Sequence, residues 1–136
     1  METAGWALQR SIYAALIGDA ALTTLLGGTH VYDHVPRGTD FPYITIGQTT
    51  ERDWSSGNEE GSEHTLTLHI WSRAAGRKEV QTIMAAVRTR LHDQTLALAG
   101  YRLVNIRHEF SDLRRETDGE TLRGLMRFRA VTEALT

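Results

Sequence analysis

The 136-residue chain carries 15 Lys and Arg against 17 Asp and Glu, a formal charge of −2, and 40% of it is hydrophobic. One domain of this length buries a proper core without staples. With no cysteine, disulfides, thiolate catalysis and cysteine-based zinc sites are excluded. The slight acid excess argues against a general nucleic-acid binder, and no apolar run approaches the roughly 18 residues of a membrane span. The beginning of the chain does not read as a signal peptide, because Glu2, Gln9, Arg10 and Ser11 interrupt its apolar residues. Neither an internal repeat nor a linker divides the chain, so residues 1–136 are expected to form a single domain.

Taken in order, residues 4–18 predict an amphipathic helix with Leu8, Ile12, Ala15 and Leu16 on one side. Asp19 is placed to cap a second helix, Ala20–Leu26, which Gly27 and Gly28 end. His30–Asp33 predicts a short strand, and Pro36 to Pro42 a loop. Tyr43–Trp54 predicts a longer strand, and Ser55–Ser62 an exposed loop. Glu63–Arg73 is the cleanest strand pattern: Leu66, Leu68 and Ile70 alternate with Thr65, Thr67, His69 and Trp71. Beyond Gly76 the main helix is expected over Arg77–His92, where Val80, Ile83, Met84, Val87 and Leu91 form a stripe wide enough to cover a sheet.

Tyr101–Arg115 and Thr121–Ala134 predict a hairpin whose register can be argued. A two-residue loop of Asp118 and Gly119 sets Phe110 against Arg127 and mixes apolar with charged residues on both faces. A three-residue loop, Thr117 to Gly119, sorts them: Val104, Ile106, His108 and Phe110 share a face with Met126, Phe128, Ala130 and Thr132, while Glu109 meets Arg127. The sorted register is the expected one. The whole predicts an α+β fold, an antiparallel or mixed sheet of about four to five strands with an N-terminal helix and one main helix packed on one face.

Catalytic constellations are not legible. His30 and His34 flank an extended segment, where they lie on the order of 13 Å apart. His64 and His69 fall on opposite faces of one strand, and His108 sits on an apolar face beside Phe128. There is no G-x-S-x-G, P-loop or G-x-G-x-x-G. Glu59, Glu60 and Glu63, with Asp53 nearby, read as a solvated acidic loop. The hairpin is more informative. Arg107, Arg123, Arg127 and Arg129 share a face with Leu103, Leu113, Leu125 and Val131, an arginine-and-aliphatic mixture that suits a protein interface able to meet a partner's carboxylates. Trp54 and Trp71 on the more polar side of their strands suit a subunit contact. These seven, Trp54, Trp71, Arg107, Arg123, Leu125, Arg127 and Arg129, are the candidate subunit or partner interface; no catalytic, cofactor or metal residue is expected.

An ordered set of segments carries a family resemblance. It comprises the N-terminal helix with Asp19 to Gly28 (DAALTTLLGG), then Val31-Tyr32-Asp33 with Pro36, then Phe41 to Gly47 (FPYITIG). Leu66 to Ser72 (LTLHIWS), Gly76 to Val80 (GRKEV), Leu96 to Gly100 and the Asp118-Gly119 hairpin complete it. In this order the chain resembles the tail-completion, or tail terminator, proteins of long-tailed bacteriophages and phage-like gene transfer agents. The resemblance implies an α+β subunit of a hexameric ring on the last ring of the tail tube, assembled in the bacterial cytoplasm into the tail–head junction of the particle. Its implied partners are further copies of itself, the tail tube protein and a head-side connector or adaptor, with DNA passing through the lumen without specific binding. It implies no cofactor and no enzyme activity.

Three other readings make distinct predictions. A neck or head–tail adaptor of the same particle would bind the portal side. A small metal-dependent enzyme using His and Glu would purify with stoichiometric metal. A DNA-contacting protein would lose salt-sensitive binding when Arg123, Arg127 and Arg129 become Ala.

Overall fold

A computed structural model describes residues 2–135. The helix α1, Ala4–Ile17, begins where the Thr3 side chain accepts from the Trp6 amide at 3.1 Å. Asp19 caps α2, Ala20–Leu26, through the Leu22 amide at 2.9 Å, and Gly27 ends it at φ 79°. The strands are β1, Val31–Tyr32; β2, Tyr43–Asp53; β3, Gly61–Ser72; β4, Tyr101–Arg115; and β5, Leu122–Ala134, with α3, Lys78–Leu91, between β3 and β4. They form one sheet in the order β1-β2-β3-β5-β4. The β1–β2 pair is parallel and the rest are antiparallel. The fold is α+β with a mixed sheet.

One face of the sheet carries the core. Leu66, Leu68 and Ile70 of β3 lie beside Phe128, Met126 and Gly124 of β5, and α3 lays Val80, Ile83, Met84, Val87 and Leu91 on them, all buried. Helix α1 covers the β1–β2 side with Leu8, Ile12 and Leu16. Gly124 permits the close approach of α3, since a Cβ there would stand 2.6 Å from Met84 Sδ and 3.2 Å from Val80 Cγ2.

The hairpin corrects the predicted register. Near the tip, Arg115 faces Leu122 and Phe110 faces Arg127, the parity rejected on the sequence pattern; beyond Glu109, His108 faces Phe128 and Ile106 faces Ala130, the parity preferred. A bulge at Glu109 joins the two, and a second between Leu103 and Asn105 shifts the register again. The turn spans four residues, 117–120, between Glu116 and Thr121: the Glu116 amide donates to Thr121 O at 2.7 Å, and Gly119 takes φ 75°. Because the bulges change parity, Leu103 and Leu113 pack toward the core, whereas Val104 and Phe110 stand exposed. Charged strands prefer two bulges to burying ionic groups, a choice that a uniform alternation cannot represent.

Candidate functional site on the outer sheet face

All three helices lie on the core side, so no helix covers the opposite face of the sheet, where the β3 side chains are half-buried against their neighbours. Its side chains form rows across four strands. The first is Tyr43, Trp71, Arg123 and Arg114; the second is Thr45, His69, Leu125 and Asp112. Thr67, Arg127 and Phe110 make the third, and Thr50, Thr65, Arg129 and Arg107 the fourth. The last is Arg52, Glu63, Val131 and Asn105. Trp71, Arg123, Leu125, Arg127 and Arg129 therefore form one continuous patch. Trp54 joins its end, with the guanidinium carbons of Arg52 and Arg129 at 5.5 and 5.3 Å from its ring. Arg107 lies on the edge strand and turns aside to Asp93 at 2.8 Å.

The arginines expected to await a partner's carboxylates are matched inside the chain. Arg123 pairs with Glu116 at 3.0 Å and lies 5.7 Å from the Trp71 ring centre. Arg127 stands 3.9 Å from Glu109 and 4.9 Å from the Phe110 ring centre. Glu63 accepts from both Arg129 and Arg52, and the Arg129 bond leads in holding its carboxyl below the usual range. The sequence starts the strand at Glu63 but reads its carboxylate with the solvated acidic loop. Glu63 belongs to β3, and its role follows only from the strands that flank it. What reaches a partner is thus an internally ion-paired surface of rings and guanidinium planes, with one carboxylate shared by two arginines.

Aromatic contacts continue the patch toward β1: Trp71 donates Nε1–H to Thr45 at 3.0 Å and stacks on Tyr43, which in turn meets Phe41 and Tyr32. Besides His30 Nδ1 and the Arg123 Nε and Glu116 Oε1 atoms of the ion pair above, two further buried polar atoms, His69 Nδ1 and Asn105 Oδ1, have no hydrogen-bond partner among the described residues. Both belong to this face, and an unmet buried polar atom is costly. Burial, and then repulsion from Arg123, hold His69 below its ordinary pKa.

Among the described residues, only His92 and His108 of the other histidines meet, His92 Nδ1 accepting from the His108 amide at 2.9 Å. His30 stacks against Tyr32 at the β1 end. His64 is buried on the core side and bonded to Thr132 at 2.8 Å. His108 sets its ring edge-on to Phe128 and lies 2.6 Å from Ser111. Among the described residues no three His, Cys, Asp or Glu side chains are placed to hold a metal ion.

A mixed sheet with its helices on one face and an ion-paired, aromatic-bearing surface on the other defines the class, a small α+β protein with no catalytic constellation among the described residues. Residues 10–133 match the family described as tail completion protein gp17. The tail completion protein gp17 of Bacillus phage SPP1 is 26% identical over 89 residues, covering 65% of this chain and 66% of that protein. The aligned part is thus just under two thirds of the curated relative. A chain of the virion of a native gene transfer agent particle superposes with a TM-score of 0.90 at 31% identity, covering 98% of this chain and 100% of that one. This chain belongs to the tail completion protein gp17 family. It is a structural protein of the tail of a phage or gene transfer agent particle, and the family is structural rather than enzymatic.

Proposed function

We propose that this chain closes into a ring of six subunits on the last ring of the tail tube, ends tube polymerisation there and offers its other side to the head-side connector. The observation that carries the reading is the outer face that no helix covers. Its arginines are each paired within the chain, two of them sharing Glu63, which lowers the cost of removing water from them on contact. Its rings, Arg planes and Leu125 supply the residue types that dominate interface energies. Ring closure needs two different patches on each subunit, and the long edge strand β4 supplies a second beside this face. Trp54, Trp71, Arg107, Arg123, Leu125, Arg127 and Arg129 are the proposed contact residues. Likeness along nearly the whole chain to a component of a gene transfer agent virion supports the same reading.

The test is particle assembly without this chain. Overlong tails that fail to join heads, corrected by supplying the chain, are the expected result; normal tails joined to heads would sink the proposal. In solution, six copies of a 15.2 kDa chain give a ring of about 91 kDa. Capture by tail tube protein rather than by a portal-side adaptor separates a terminator from a neck component.

A further inference from the structure

A cavity of about 140 Å³ opens on the other side of the sheet, between α1 and the irregular stretch of β2 where the register slips between Ile46 and Thr49. At roughly 30 Å³ per water it holds about four or five waters, or one extended side chain, and is too small for a drug-sized ligand. Leu8, Ile12, Ile46 and Leu66 form its apolar wall. At its polar end His64, only 3% exposed, bonds through Nε2 to Thr132 Oγ1 at 2.8 Å. Its Nδ1 stands 4.0 Å from Glu51 Oε1, too far for a hydrogen bond. Ser62 donates to the other carboxylate oxygen of Glu51 at 3.0 Å, so Oε1 is left facing the cavity with Nδ1. Gly5 makes room for this carboxylate: a Cβ on it would stand 2.9 Å from Glu51 Oε1.

In the tautomer that donates Nε2–H to Thr132, the two atoms at the cavity's end, His64 Nδ1 and Glu51 Oε1, are both acceptors. We propose that this cavity receives a basic side chain, a guanidinium or alkylammonium whose methylene stem lies along Leu8, Ile12, Ile46 and Leu66 and whose head bridges Glu51 and His64. A guanidinium fits best, because its planar fork presents two N–H donors at once. Asp53 and Glu60, at the rim of the neighbouring cleft that shares Glu51, favour approach of a cation. The site lies across the sheet from the outer face, so it goes beyond the ring reading and does not depend on it.

The experiment titrates the full chain with n-butylguanidinium, n-butylammonium and n-butanol, following the His64 ring nitrogens by NMR. Saturable shifts with the two cations, guanidinium the tighter, and none with butanol are expected. Glu51→Gln, at a half-exposed position, should keep the melting temperature while weakening guanidinium binding at least about tenfold, the usual worth of a hydrogen bond to a charged group. Equal binding of butanol, unchanged binding by Glu51→Gln, or no saturable shift overturns the proposal. The source of the natural side chain follows from the same variant. Loss of self-association assigns it to a second copy; intact self-association with lost capture by tail tube or connector protein assigns it to that partner.

Discussion

The guanidinium carbon of Arg127 lies 4.9 Å from the centre of the Phe110 ring, and the two residues face each other only because Glu109 is bulged out of the hairpin. Without the bulge Phe110 would point into the helical layer. The bulge therefore turns an aromatic ring from core material into part of the exposed face. Phe110→Ala is expected to cost the isolated chain only about 0.5–1 kcal/mol, the worth of an exposed cation–π pair. Its effect on association should be the larger one. Denaturant midpoints and sedimentation of the same variant measure the two separately; a large loss of stability with unchanged association would contradict the placement of Phe110 in a contact.

Leu68 and Phe128 are fully buried in β3 and β5 under α3. Leu68→Ala should cost about 2–5 kcal/mol and Phe128→Ala about 3–5 kcal/mol, read from urea unfolding. A loss below about 1 kcal/mol at either site would mean that the helices do not cover that face.

Gly124 gives a more discriminating test. The added methyl of Gly124→Ala meets Met84 Sδ at 2.6 Å, so overpacking should cost about 1–3 kcal/mol although alanine is the better strand residue. Adding Met84→Ala should recover part of the loss, and a double-mutant cycle measures the coupling.

Acidification should weaken the fold. His64, His69 and His108 all protonate below their ordinary pKa of 6.5, with burial the leading cause in each. Between those lowered values and 6.5 the unfolded chain binds more protons, so stability is full above about pH 6.5 and declines as pH falls below it. Carboxylates held low by their bonds, Glu63 and Glu133 among them, extend the decline further into acid. The urea midpoint should drop between pH 7.5 and 5.5, with a shallower slope in His64→Gln; a midpoint that rises on acidification would reverse the argument.

Asp118 closes the β4–β5 turn by accepting from the Glu120 amide at 2.8 Å, the Thr121 amide at 2.9 Å and the Thr121 hydroxyl at 2.7 Å. The Thr121 amide bond leads in lowering its pKa to about 2. Its contribution is present above its unfolded value near 3.8 and is lost as pH falls through about 2. Asp118→Ala should lower the melting temperature at pH 7, while Glu120→Ala, whose carboxylate makes no such bonds, should not. Equal melting temperatures for the two variants would remove the turn argument.

Local sequence determined a good deal of this protein. The cap Asp19, the glycine stop after α2, the alternation of β3 and the stripe of α3 each follow from spacing within a few residues, and each element appears within a residue or two of its expected bounds. The arginines and tryptophans of the outer face were legible for the same reason, since alternation alone assigns Trp71, Arg123, Arg127 and Arg129 to the side away from the core. Tertiary structure decided what alternation cannot express. The bulges at Glu109 and near Val104 exchanged Phe110 and Val104 for Leu113 and Leu103, because parity along β4 answers to the strand it pairs with rather than to its own pattern. It also decided the ownership of charge. Glu63, 66 residues before Arg129 in sequence, becomes its partner only once β3 lies beside β5. The arginine face, open to a partner when read along the sequence, already has each arginine beside a carboxylate of its own chain when the sheet is assembled, with Glu63 shared by two.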